Sequence, residues 1–167
     1  HHAADSVGSD CMNCHMPRLN EGLQDLVRTH RIFSPTEPLM IEENQPNACN
    51  MCHVEKNLRW TLGYLGEWYD RTYNEERIRE TQPDPDAPAT INWLRGDHQP
   101  SRMVAGDVLT KAKSRWALED LVDALNDPAL LNRQFLQRGL DGMLKDPVEK
   151  TSGYQFHFPR AERAFHL

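Results

Sequence analysis

The chain has 167 residues, enough for one domain or one domain with a small appendage, and a formal charge of −6. That acidic balance argues against nucleic acid and anionic membrane surfaces as partners, and no segment approaches the ~18 apolar residues of a membrane span. With 38% hydrophobic residues and a mean hydropathy of −0.73, the chain is polar for a globular protein.

Residues 1–18 read as loop, with Gly8, Ser9 and Pro17, and contain the pentad Cys11-Met12-Asn13-Cys14-His15. Leu19, Leu23, Leu26 and His30 then fall at helical spacing, which predicts a helix with a leucine face that His30 shares, capped near Asn20. Residues 34–47 are punctuated by prolines and read as an extended connection to a second pentad, Cys49-Asn50-Met51-Cys52-His53. A clear helix follows: Leu58, Leu62, Leu65 and Tyr69 form one stripe, and Trp60, Tyr64 and Trp68 a neighbouring one. Ordinary core packing is the favoured role for the aromatic stripe. Residues 82–100, rich in proline and aspartate, read as an extended boundary without a core of its own, with His98 solvated at its far end. Val108, Ala112, Trp116, Leu121 and Leu125 predict another amphipathic helix. Asp127-Pro128 breaks it and restarts the chain, with Asp127 as N-cap and Pro128 at the first helical position. Leu131, Phe135, Leu140 and Met143 mark the partner helix, so the pair forms an αα-hairpin.

The two pentads use all four cysteines of the chain. Cys-x-x-Cys-His is the pattern that attaches a c-type haem: the thiols form thioethers with the vinyl groups, and the adjacent histidine becomes the proximal iron ligand. A zinc ribbon keeps its two knuckles about 15–20 residues apart and has no need of a histidine after each. A redox dithiol occurs singly near a βαβ pattern, and a disulfide across so short a loop gains little. Two haem c groups are therefore the expected cofactors, bound by Cys11, Cys14, Cys49 and Cys52, with His15 and His53 on the irons. Their large apolar rings make up for a sparse core.

The sixth ligand of each iron decides the job. His30 is the first distal candidate; His1, His2, His98, His157 and His166 are the others, so bis-His coordination is easily met. Met12, Met16 and Met51 lie in or beside the pentads and cannot reach the opposite haem face. No catalytic triad and no phosphate-binding glycine loop appears. The aromatic, basic tail from Gly153 to Leu167 either folds back on a haem or docks on a partner subunit.

Cys11-Met12-Asn13-Cys14-His15-Met16-Pro17, then Arg28-Thr29-His30-Arg31, then Asn47-Ala48-Cys49-Asn50-Met51-Cys52-His53 and Trp60 form an ordered set. The set resembles the periplasmic multihaem c-type cytochromes whose haem segment is followed by HEAT-like or tetratricopeptide helices. The resemblance covers residues 1–70 well and 105–145 loosely. It implies that His30 is a distal ligand and that one of His1 or His2 is another. Residues 130–144 lack the small residue usual in the middle of a HEAT second helix.

The expected fold is mostly α: a loop-rich dihaem segment over 1–81, a Pro-rich connection over 82–104, a HEAT-like hairpin over 105–150 and a tail over 151–167. The expected function is electron transfer to a redox partner protein, or within a larger redox complex that includes other haem proteins. The alternatives are a small dihaem enzyme, either a peroxidase or a nitrogen-oxide reductase with one open iron, and a non-catalytic cytochrome subunit. Covalent haem attachment takes place outside the cytoplasm, so the periplasm or cell exterior is the expected location. No signal peptide is evident, which reads as a mature form or a fragment.

Overall fold

A computed structural model describes residues 2–167. The chain is mostly helical, as its sequence predicts, with one small sheet. In chain order the elements are α1 (Cys11–His15), β1 (Arg18–Glu21), β2 (Leu26–Arg28), α2 (Pro38–Glu42), α3 (Ala48–Cys52), α4 (Leu58–Tyr69) and α5 (Glu75–Thr81). Then follow α6 (Ala89–Arg95), α7 (Gln99–Lys111), α8 (Leu118–Asp123), α9 (Leu130–Met143), α10 (Val148–Ser152) and α11 (Arg160–Arg163).

Residues 18–28 form an antiparallel hairpin, and this corrects the helix predicted from the leucine spacing. Gly22 accounts for the turn: its N–H donates to the Asp25 carbonyl at 2.9 Å, and a Cβ at Gly22 would lie 2.7 Å from that oxygen. The leucines then part company. Leu26 is fully buried, while Leu23, at the tip, is 98% exposed. There is no leucine face for His30 to share; it sits exposed just after β2.

The main core is built by α6, α7 and α9, with Leu26, Val54, Leu121, Leu125 and Tyr154 around them. It runs from the hairpin to the tail and crosses the predicted boundaries at 81, 104 and 150. The extended reading of 82–104 is corrected most strongly. In α6 every residue from Ala89 to Leu94 is buried. A helix that is buried all round shows no amphipathic period. Pro100, read as a breaker, lies in the first turn of α7, where its missing N–H costs nothing. The predicted helix across 108–125 is also broken: α7 stops at Lys111, Lys113 turns with φ +53°, and α8 begins only at Leu118.

The α9 prediction holds, but the partner packed along α9 is α7 rather than α8. Asp127 serves α9 from outside the helix. It accepts from Ala129 N–H (2.7 Å), Asn132 Nδ2 (2.9 Å) and Arg102 Nε (2.6 Å). The tail returns to this same helical half. Tyr154 is buried and donates to the Leu125 carbonyl, and Arg133 reaches the Phe156 carbonyl, each at 2.7 Å. A second, smaller core joins α2, α4 and α5 through Ile41, Leu58, Leu65 and Ile78.

Candidate functional site: a cleft between two pentad helices

Each pentad winds into a single turn of helix because a short polar side chain caps its first N–H groups. Asp10 accepts from Met12 N–H in α1, and Asn47 accepts from Asn50 N–H in α3, both at 2.9 Å. The two helices pack against each other. Cys14 and His15 of the first pentad and Cys49 of the second line one cleft of about 300 Å³. Its far wall is apolar and comes from α4: Leu65, Trp68 and Tyr69, with Arg71 at the rim.

Burial pushes the Cys49 thiol up to about 11, and the neighbouring thiols of Cys14 and Cys52 add to the shift. Burial also raises Cys14, with Cys52 and Cys11 contributing. Thiols of both pentads thus sense one another across the cleft. Among the described residues, however, no group of three or more His, Cys, Asp or Glu converges to hold a bare metal ion. The donors are spread along a partly apolar cleft, an arrangement that suits a plate-like ring bonded at its edges. Cys11 and Cys52 lie on the exposed sides of their helices.

His15 Nδ1 lies 3.0 Å from the Phe33 carbonyl. A carbonyl only accepts, so in the neutral ring Nδ1 carries the proton and Nε2 keeps its lone pair for a metal. Phe33 N–H donates back to the His15 carbonyl at 3.2 Å. Arg28, on β2, clamps the other end of this segment. Its Nη1 donates to the carbonyls of Met12 (2.8 Å) and Met16 (3.1 Å), and its Nη2 to Asn13 Oδ1 (2.7 Å). The loop that carries His30 is therefore tied to the first pentad on both sides, although His30 itself does not line the cleft.

The second pentad is held from inside. Asn50 is fully buried and its side chain accepts from Asn47 Nδ2 (3.0 Å) and Thr61 Oγ1 (2.6 Å) while donating to the Lys56 carbonyl (2.9 Å). His53 packs against Trp60, with ring centroids 4.6 Å apart. From Trp60 the rings step to Tyr64 (4.9 Å) and on to Trp68 (4.6 Å). The core-packing role expected for this stripe is corrected: the stripe lies outside both cores, running from His53 to the cleft wall.

His2 lines the cleft, and its ring lies 6.2 Å from that of His53. His1 lies outside the described residues. The other histidines sit elsewhere: His98 Nδ1 pairs with Ser101 Oγ (2.8 Å), His166 Nδ1 with the Ser152 carbonyl (2.8 Å), and His157 lies between Phe156 and Phe158. The sequence gives no separate role to Arg28, which opens the Arg-Thr-His-Arg string, to Asn50, inside the second pentad, or to Arg71, which stands in no motif.

The pentads, the apolar cleft and the poised His15 are features found in c-type cytochromes. Residues 1–81, which carry all of them, match the family model described as cytochrome c552. That match supports a c-type cytochrome with covalently bound haem and haem-based electron transfer. No curated protein and no solved structure matches the chain. No helix among the described residues is long and apolar enough to cross a membrane.

Proposed function

We propose that this chain carries electrons through two c-type haems, one bonded to Cys11 and Cys14 and the other to Cys49 and Cys52. His15 and His53 serve as proximal ligands. His30 and His2 are the distal ligands, with His1 the alternative to His2. A haem iron, once bound, supplies a one-electron couple whose potential its axial ligands set.

The observation that carries this reading is the shared cleft. Thiols from both pentads line it, so groups bonded to the two pentads are neighbours, as transfer between them requires. The Phe33 carbonyl holds the proton on His15 Nδ1 and directs Nε2 to the metal. Arg28 and Phe33 tether the His30 loop to the first pentad, which favours His30 for the first haem. Leu65, Trp68 and Tyr69 give the cleft an apolar wall for a haem ring to pack on, and Arg71 is a cation suited to haem carboxylates. Covalent attachment makes the periplasm or cell exterior the location. A redox partner protein, alone or in a larger complex, completes the circuit.

The test is haem stoichiometry in protein made in a host that attaches c-type haem. Intact mass and a pyridine haemochrome assay should give two haems per chain. Replacing Cys11 and Cys14, or Cys49 and Cys52, by alanine should remove one. A single haem in the unaltered chain contradicts the proposal.

A further inference from the structure

We infer that the mouth of the pentad cleft is a docking surface for a basic redox protein: an exposed aromatic pair, Trp68 and Tyr69, set among the carboxylates of Glu67, Asp70, Glu75 and Glu76. This rests on the electron-carrier reading above and goes beyond it by naming the face that meets the partner and the partner's charge.

Three observations carry it. First, the cleft opens between two chain segments, with Ser34, Pro35 and Thr36 on one lip and Trp68, Tyr69 and Arg71 on the other. Tyr73 ties the lips together, its hydroxyl donating to the Thr36 carbonyl at 3.1 Å. Second, Trp68 is 37% and Tyr69 46% exposed, although both wall the cleft. Each ring therefore reaches both the cleft and solvent. Exposed aromatics of this kind are the residue type enriched where proteins meet. Third, the acidity of the chain is concentrated here. Residues 37–80 hold nine carboxylates against five Lys and Arg, a net −4 of the chain's −6. Glu67 and Asp70 bracket the aromatic pair, Glu75 and Glu76 open α5, and Glu37 follows the opposite lip; all five are exposed. The cations are mostly engaged elsewhere: Arg77 is taken up by Glu43 and Glu80, Lys56 pairs with Glu55, and Arg59 with Asp86.

The sign selects the occupant. An acidic rim speeds encounter with positive surfaces, by factors of about 10 to 10³, and repels negative ones. An anionic membrane is therefore excluded, and a second copy docked face to face would set carboxylates against carboxylates. The C-terminal tail, the other candidate dock, is built into the helical half: Tyr154 is fully buried and Arg163 is 4% exposed. A partner rich in lysine and arginine around an apolar centre fits the mouth. The transfer moves one electron: the haem iron goes from ferrous to ferric and the partner's centre is reduced by one, with no bond made or broken.

The experiment uses the haem-loaded full chain and, as probe, a ferric lysine-rich cytochrome c. Stopped-flow rates of electron transfer from the reduced chain are compared for two fourfold variants with the same loss of charge. One neutralises the mouth (Glu67→Gln, Asp70→Asn, Glu75→Gln, Glu76→Gln); Asn is tolerated in the left-handed cap that Asp70 forms. The other neutralises exposed carboxylates of the helical half (Asp97→Asn, Glu119→Gln, Asp123→Asn, Glu162→Gln). At low salt the mouth variant should be about tenfold slower than the unaltered chain, and the other slower by less than about twofold. At about 1 M salt, where charges are screened beyond about 3 Å, the difference should vanish. With the anion hexacyanoferrate(III) as oxidant the mouth variant should be faster, which a damaged haem site would not give. In magnetic resonance of the unaltered chain, amides that shift on adding the probe protein should cluster at 34–37 and 67–76. Equal slowing in the two variants reduces the effect to net charge and overturns the surface. So does a mouth variant that is unaffected, or slowed by both oxidants alike, and so do shifts centred on 153–167. Fewer than two haems per unaltered chain would instead overturn the dihaem reading, while the salt dependence still decides the surface.

Discussion

The two pentad helices have the same length and the same kind of cap, yet they are held in opposite ways. α1 has no buried residue, and its support comes from outside, through Arg28 on the hairpin and the carbonyl of Phe33. α3 buries Ala48 and Asn50. It also lies where the two cores meet, with Met51 packed on the larger and Cys49 on the smaller. Local opening free energies follow buried contacts, so the first pentad is the softer one and the second is part of the fold's framework.

The largest test of this contrast is Asn50→Ala. It strips partners from the buried groups of Asn47, Thr61 and Lys56 and should cost about 3 kcal/mol in chemical denaturation. A cost no greater than that of Arg28→Ala would end the distinction. Thiol chemistry is the next test. In chain without haem at pH 8, Cys49, pushed from 9.0 to about 11, should hold about a hundredfold less thiolate than an unshifted cysteine. Exposed Cys11 should therefore be alkylated well before it. Equal labelling of the two by peptide mass mapping would contradict the buried setting of the second pentad.

Arg28→Ala should have a smaller and local effect. It loses hydrogen bonds at a half-exposed site, about 1 kcal/mol, and amide exchange should speed up over residues 11–16 while 48–53 is unchanged. Exchange that speeds equally in both pentads would show that they open together. The smallest effect concerns the far end of the same hairpin. A hydrogen bond from Lys111 holds the Asp25 carboxyl below its usual range. Because the folded value is lowered, the stabilisation is present above the ordinary carboxylate range and is lost as pH falls through the folded value. The pair is exposed, so Asp25→Asn should cost about 0.5 kcal/mol near neutral pH. It should cost nothing at a pH where the carboxyl is already protonated; a loss that is the same at both pH values would contradict the assignment.

The two pentads were legible because each motif is written locally, in five consecutive residues. The helices α4 and α9 were legible because their buried faces alternate with solvent at helical period. The hairpin was misread because Leu19, Leu23 and Leu26 mimic that period, while the features that decide the matter, the Gly22 turn and the reach of Arg28 to α1, are tertiary. α6 was hidden because burial on every side erases the pattern, and a proline-rich approach disguised its start. The aromatic stripe on α4 had the right period and the wrong destination; its rings follow His53 rather than the core. His2 comes within 6.2 Å of His53 only in the folded chain.

The most direct test of the account is the electron paramagnetic resonance spectrum of the oxidised, fully haem-loaded chain at neutral pH. Two haems, each with histidine on both faces, predict low-spin signals alone, integrating to two irons per chain. A high-spin signal integrating to one iron would mean that one axial position is open, and the chain would then be a catalyst rather than a carrier.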